Sequence, residues 1–156
     1  MKTHGLESIL RESPAFRELS GEYIDLLAGC AANVRFQEGD FLFREGEEAD
    51  RFYLIREGTV ALELYSPGGG PLVVETIQEN EMVGWSWLIP PNQWKFDGLA
   101  ATEVRALFFD GKCLRKKCEE DPALGFVLLK AVAMQMGHTL DSARVRLLDM
   151  YSGKKR

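Results

Sequence analysis

The sequence predicts a mainly β fold with flanking helices: a double-stranded β-helix, that is, a jelly-roll-like β-roll, plus a long C-terminal dimerisation helix. Three observations lead to this prediction. Short β-type runs separated by glycines fill residues 33–110. Residues 1–32 and 111–151 instead carry apolar residues at helical spacing. The last helical pattern continues for about 30 residues, and a helix of that length outreaches a small β domain.

Length and composition indicate one ordinary globular domain with an appended element. The chain has 156 residues, of which 46% are hydrophobic and 28% are charged. Its formal net charge of -5 does not favour binding to nucleic acid or to an anionic membrane. No apolar run approaches a bilayer-spanning length, and the N-terminus lacks the pattern of a signal peptide. We therefore expect no membrane contact, and we expect the basic run 154–156 to be a solvated tail.

The cysteines and histidines exclude several site types. Cys30, Cys113 and Cys118 form an odd set without the spacing of a disulfide framework, which favours a reducing, cytoplasmic location. Neither a His nor a third Cys lies near Cys113 and Cys118, so we expect no zinc site. The two histidines, His4 and His138, lie outside the β region, which argues against a metal-dependent jelly-roll enzyme. Since no nucleophile or phosphate-loop motif occurs either, we expect no catalysis.

Two short helices are expected in residues 1–32. Leu6, Ile9 and Leu10 recur at helical spacing before Pro14, and a second apolar set precedes Gly29. The β region 33–110 follows, and its turn glycines are Gly39, Gly46, Gly58 and the run 68–70. Within 59–64 the apolar residues alternate with polar ones, as in a sheet that has one wet face. Strands spaced this evenly are typical of a sandwich or jelly roll.

The C-terminal region 111–151 is predicted to end in a helix that begins at Asp121-Pro122, with Asp as the N-cap and Pro in the first turn. Part of this helix should pack on the β-roll through a flank of Leu128, Val132, Val145 and Leu148. A second stripe follows alternating steps of three and four residues and predicts a seam that pairs with a second copy in a parallel homodimer. The seam residues are Phe126, Leu129, Ala133, Met136, Leu140, Ala143, Leu147 and Met150.

The segment 36–60, with Gly39, Gly46 and Gly58 at its turns, resembles the cyclic nucleotide-binding domain of the catabolite-activator and fumarate–nitrate-regulator superfamily. The resemblance implies a β-roll with a phosphate-binding cassette, here residues 81–98. In that family a Gly-Glu pair and a later Arg hold the ribose and the cyclic phosphate. Gly84 matches the family glycine, but Trp85 stands where the Glu belongs, and no Arg occurs between Arg56 and Arg105. We therefore do not expect cAMP or cGMP to bind through the usual contacts, and the possible cofactor is a cyclic nucleotide held otherwise or another small ligand.

Several cassette residues are candidates with two interpretations. The tryptophans could close the core, or they could stack on an aromatic or cationic ligand. Ser86 could open a short helix whose N–H groups face an anion, and Lys95 is the cation of the cassette. Arg144 could supply the missing counter-charge or simply form a surface ion pair. The predicted ligand-binding set is Gly84, Trp85, Ser86, Trp87, Trp94, Lys95 and Arg144.

Two functional hypotheses follow. The first is a sensor whose ligand enters the roll and whose signal passes through the dimer helix to a partner protein. The second is a ligand-free interaction or scaffolding module with a degenerate pocket. The resemblance also implies that transcription factors of this superfamily carry a helix-turn-helix after the dimer helix. Because the chain ends five residues after Tyr151, we expect no direct DNA binding.

Overall fold

The computed structural model describes residues 2–153, with side chains from residue 5 onward; the predicted tail run 154–156 and the side chain of His4 lie outside this part. The helices are α1 (Lys2–Glu12), α2 (Gly21–Gly29), α3 (Gly111–Glu120) and α4 (Pro122–Gly153). The strands are β1 (Ala31–Phe36), β2 (Phe41–Phe43), β3 (Arg51–Glu57), β4 (Val60–Ser66), β5 (Gly70–Ile77), β6 (Met82–Val83), β7 (Asp97–Ala100) and β8 (Val104–Asp110).

The eight strands form two four-stranded antiparallel sheets that pack as a roll. The first sheet has the order β1-β8-β3-β6, and the second has the order β2-β7-β4-β5. The β4–β5 hairpin turns at the run 68–70, where Gly68 and Gly70 have φ values of 83° and 76°. These positive values explain why this tip is built from glycine. The predicted fold class is confirmed for the β-roll, its flanking helices and the long C-terminal helix.

Strand β3 of the first sheet is buried on both faces from Phe52 to Ile55, which explains why it is apolar at consecutive positions. Phe52 and Leu54 face the helices and belong to one core cluster. Tyr53 and Ile55 face the second sheet and belong to the other cluster. Successive strand residues point to opposite faces, so a strand between two cores needs an unbroken apolar run. The molecule therefore has one core inside the roll and another between the roll and the helices.

Asp121 connects helix α2 to the start of α4. Its Oδ1 accepts hydrogen bonds from the backbone N–H groups of Ala123 (3.1 Å) and Leu124 (3.3 Å), as the predicted cap requires. The same carboxylate accepts the hydroxyl of Tyr23 on α2, at 3.2 Å for Oδ1 and 3.0 Å for Oδ2. One side chain therefore sets both the beginning of α4 and its position against α2.

Helix α4 lies on the protein along its first half and extends away from it along its second half. Its buried residues are Leu124, Leu128, Ala131, Val132 and Gln135. The expected contact flank is therefore correct at Leu128 and Val132 but wrong at Val145 and Leu148, which are 57% and 67% exposed. Near Val145 the helix meets only the edge of β5, where Arg146 Nε donates to Val74 O at 3.0 Å. This contact with one backbone carbonyl of β5 does not cover the apolar side chains of Val145 and Leu148.

The composition of α4 differs from the expectation that no apolar run approaches a bilayer-spanning length. An 18-residue window of α4 has a mean hydropathy of 1.3, so by length and composition alone this helix could cross a membrane. That expectation was based on unbroken runs of apolar residues. In α4 the apolar residues are interrupted by polar ones, but they lie around most of the helix and few charged residues separate them. Within the window, 28% is buried inside the protein. Because core helices of soluble proteins have similar composition, this is weak evidence for a membrane span.

Candidate functional site

The cassette 81–98 is held against the turn that follows β2. Trp94 N donates to Glu47 O at 3.0 Å, and Gly46 N donates to Trp94 O at 2.9 Å. Ala49 N donates to Asn92 O at 2.8 Å. These three backbone hydrogen bonds place the second half of the cassette beside residues 46–49. The glycine-rich turn that carries the family resemblance therefore also positions the candidate site.

Trp94 fills the interior of the roll at the cassette. Its ring stacks on Phe43 with centroids 3.9 Å apart and an interplanar angle of 13°, and the residue is 3% exposed. Gly84 lies beside the Cζ3–Cη2 edge of the indole, with a φ of +102°. A Cβ at Gly84 would stand 2.7 Å from the Trp94 ring. The absence of a side chain at Gly84 is therefore what admits the indole.

 Five of the seven predicted ligand-binding residues lie around one small cavity. The volume of this cavity is about 10 Å³. The lining residues are Phe43, Leu62, Gly84, Trp85, Ser86, Trp94, Lys95 and Phe96. A space of this size holds about one water molecule, whereas small-molecule pockets measure about 300–1,000 Å³. The structure thus brings Gly84, Trp85, Ser86, Trp94 and Lys95 together around a space that is almost filled.

Trp87 lies on the opposite side of the first sheet from this cavity. It is fully buried and stacks on Phe52, with centroids 4.7 Å apart and an interplanar angle of 21°. Phe52 belongs to the core between the roll and the helices, and Trp87 belongs to the same cluster. The structure therefore places Trp87 in the helical core, apart from the residues that line the cavity.

The interpretation in which Ser86 opens a short helix is wrong, because residues 86–91 form turns and a bend. Leu88 N donates to Trp85 O at 3.1 Å, which closes one such turn. Pro90 and Pro91 follow, and a proline has no N–H with which to continue a helix. Ser86 itself is buried. The segment therefore offers no helix N-terminus to an anion.

The two candidate cations lie at the surface. Lys95 is exposed and makes no ion pair with any residue in the described part of the chain. Arg144 lies on α4, where its Nη1 is 3.7 Å from Asp141 Oδ1 and its side chain is 72% exposed. Arg144 is not among the residues that line the cassette cavity. Both side chains are exposed, so neither provides a buried counter-charge for a phosphate.

Asn92 and Arg115, which the sequence analysis did not single out, hold the cassette in place through hydrogen bonds to its backbone. Asn92 Nδ2 donates to Ser86 O at 2.9 Å and to Trp87 O at 3.1 Å. Arg115 Nη1, from α3, donates to Trp87 O and, at 3.3 Å, to Ala49 O. Asn92 has a φ of 60°, a conformation that Asn tolerates well in turns, so Pro-Pro-Asn was a usable signal. Arg115 had no such signal, because an Arg on a helix usually decorates the surface.

A second, more open concavity follows α4 along the edge of β5. It has a volume of about 560 Å³, and its lining includes Glu75, Glu81, Asp141 and Asp149 together with His138 and Arg146. Glu75 is 8% exposed and accepts a hydrogen bond from the hydroxyl of Thr139. Burial raises the pKa of Glu75 above its ordinary value. Four carboxylates in one groove disfavour a phosphate-bearing ligand there.

Three buried polar atoms in residues 5–153 have no hydrogen-bond partner: Trp87 Nε1, Trp94 Nε1 and Gln135 Oε1. An unpaired buried polar group costs about 1–3 kcal/mol. Of the three residues that carry these atoms, Trp94 is the one that lines the cassette cavity. Its Nε1 is therefore a donor that a ligand could satisfy.

Comparison with known proteins agrees with this architecture. The family model described as the cyclic nucleotide-binding domain matches residues 33–121. The CRP-like cAMP-activated global transcriptional regulator of Mycobacterium tuberculosis is 27% identical over 134 residues, covering 86% of this chain and 60% of the regulator. The chain thus spans about three-fifths of the length of that relative.

Two solved structures extend the comparison. A Geobacter metallireducens chain described as a cyclic nucleotide-binding protein is 29% identical with a TM-score of 0.79, covering 86% of this chain and 97% of that one. The N-terminal domain of a transcriptional regulator from Streptomyces coelicolor is 32% identical with a TM-score of 0.67, covering 86% and 94%. The resemblance predicted from residues 36–60 is confirmed.

Proposed function

This chain belongs to the cyclic nucleotide-binding domain family, and from that premise we propose that it is a regulatory module that pairs with a second copy through α4 and acts on a partner protein. Its cassette does not recognise cAMP or cGMP by charge. The observation that carries this proposal is the packing of Trp94 against Gly84 and Phe43, which leaves about 10 Å³ beside the cassette.

The chemistry of the cassette supports the first part of the proposal. Trp85 occupies the position at which the family resemblance implies a Glu, and no Arg lies between Arg56 and Arg105. Loss of one partner from a buried charge pair costs about 2–5 kcal/mol. Lys95 is exposed, so it does not replace that buried charge. A cyclic phosphate would therefore find no buried cation in this cassette.

The exposed seam of α4 supports the second part. All eight predicted seam residues are exposed, among them Leu129 (47%), Leu140 (60%) and Met150 (70%). From Phe126 to Met150 the seam extends over about 36 Å of helix. Burying one large apolar side chain contributes about 1.5–3 kcal/mol, so pairing of two such stripes is strongly favourable. A parallel pair would bring equivalent positions of the two copies together.

A second candidate function is a sensor for an uncharged aromatic ligand. Trp85 is half-buried and meets Phe96 edge to face, with centroids 5.6 Å apart. Trp94 Nε1 has no hydrogen-bond partner in residues 5–153. A ligand that stacks on Trp85 and accepts from Trp94 would use both features, but it must first displace part of the packed cassette. We place either function in the cytoplasm.

Ligand titration distinguishes these functions. The purified protein is mixed with cAMP, cGMP, adenosine or guanosine while tryptophan fluorescence and Tm are followed. A ligand at a hundred times its Kd stabilises the folded state by about 2.7 kcal/mol, which is easily measured. We expect no response to cAMP or cGMP, and a saturable response to either would overturn the proposal. A response to the nucleosides alone would establish the sensor, with Trp85→Ala as the variant that should abolish it.

A further inference from the structure

Cys30 and Cys113 come together although they are far apart in the sequence. Their Sγ atoms are 2.9 Å apart, although the residue numbers differ by 83. Cys30 ends α2 and is buried, and Cys113 lies in the first turn of α3 and is half-buried. A disulfide bond has an S–S length of about 2.05 Å. The two sulfurs therefore need to approach by less than about 1 Å to bond.

The backbone around both cysteines is held in place by Asp110. Asp110 N donates to Cys30 O at 3.0 Å, and Cys113 N donates to Asp110 Oδ1 at 3.1 Å. Asp110 is also the last residue of β8, which pairs with β1 from Ala31 onward. The proximity of the sulfurs thus follows from strand pairing and a helix cap rather than from two mobile loops.

We propose that Cys30 and Cys113 form a reversible disulfide when the protein meets a peroxide, and that this bond locks the end of α2 to the start of α3. The Cys113 thiolate attacks one peroxide oxygen, the O–O bond breaks, and the sulfur becomes a sulfenic acid as water is released. Cys30 then attacks that sulfur, the S–S bond forms, and a second water leaves. The two thiols lose two electrons in total, and the peroxide gains them.

The two sulfurs differ in the way that this order of steps requires. Cys113 is the more exposed of the two, so a peroxide in solution reaches its sulfur first. Burial, with a further contribution from the neighbouring Cys113, raises the pKa of Cys30 to about 12. Cys30 is therefore poorly suited to attack peroxide first, and it acts as the resolving thiol.

The bond would stiffen the base of the pairing helix. The first turn of α2 is already joined to the start of α4 through Tyr23 and Asp121. Helix α3 packs on α4 where Gly125 meets Cys118, at 3.3 Å from the position of a Cβ. Linking α2 to α3 therefore restrains the two helices that hold the start of α4.

The test uses the full chain, its three single Cys→Ser variants and hydrogen peroxide at low stoichiometry. Thiol titration, intact mass and peptide mapping follow the products. In the wild-type protein we expect free thiols to fall from three to one, reversibly with dithiothreitol. A cross-link that closes a loop this long should raise Tm by about 5–10 °C. Cys118→Ser is the matched control, because it should still form the bond.

The wild-type peptide map decides the outcome even if a variant folds poorly. A Cys30–Cys113 peptide pair supports the proposal. Three unreacted thiols, a bond that includes Cys118, or oxidation of Cys113 to a sulfinic acid without a cross-link would each overturn it. A bond between two copies, visible as a dimer on a non-reducing gel, would overturn it as well. None of these outcomes depends on whether the chain binds a nucleotide.

Discussion

Trp94 and Gly84 are packed so closely that a β-carbon on Gly84 would stand 2.7 Å from the indole ring. Contacts this short do not occur between real side chains, so either the indole or the backbone would have to move. Gly84 also has a φ of +102°, which residues with a side chain rarely adopt. This pair of residues sets the shape of the cassette, and several expectations follow from it.

Gly84→Ala should destabilise the protein by about 2–4 kcal/mol, because backbone strain and overpacking act together. Gly39→Ala is the matched control: its φ is +94°, but nothing lies within 4 Å of its Cβ position. It should therefore show only the backbone cost, about 1–2 kcal/mol. Urea unfolding measures both. Equal losses in the two variants would contradict the contact with Trp94.

Trp94→Ala should cost about 3–5 kcal/mol, because removal of a buried aromatic side chain leaves a cavity. Trp85→Ala should cost clearly less, since Trp85 is only half-buried. Chemical denaturation of the two variants in parallel makes the comparison. If Trp85 proved the more costly residue to truncate, the assignment of Trp94 as the residue that fills the roll would be wrong.

The double variant Leu140→Asp and Leu147→Asp should be monomeric, because the charges would face each other along the predicted seam. Both positions are exposed in the single chain, at 60% and 53%, so folding should persist. Val145→Asp is the control: it is 57% exposed and lies off the seam. Sedimentation velocity reports the state of assembly. A double variant that remains dimeric would disprove the seam.

The buried Glu75 should make stability fall as pH rises. Burial raises its folded-state pKa above the ordinary value of 4.5, so the folded protein keeps a proton that the unfolded chain has lost. Stability is then greatest below the unfolded pKa and decreases as pH rises through the folded one. Glu75→Gln should therefore raise Tm at pH 7 and leave it unchanged near pH 4. The exposed Glu79→Gln serves as the control, and an identical effect in both variants would contradict the role of burial.

The sequence was sufficient for the architecture because local patterns encode it. Glycines at positive φ mark turns, an unbroken apolar run marks a strand between two cores, and Asp121-Pro122 marks the start of a helix. Each of these signals depends on residues that are neighbours in the chain. The same reasoning overextended the contact flank of α4 to Val145 and Leu148, since spacing alone does not show where the strands beneath a helix end.

The tertiary structure alone decided which side chains meet. Trp87 and Trp94 look alike in the sequence, yet one enters the helical core and the other enters the roll. The proximity of Cys30 to Cys113 and the hydrogen bond from Thr139 to Glu75 likewise join distant parts of the chain. A shift of one residue in strand register exchanges the faces of every side chain, and register is set by the whole sheet. For that reason the sequence by itself determined the β-roll and the long helix α4. Only the folded chain determined which side chains fill the interior of the roll and which contacts hold the start of α4.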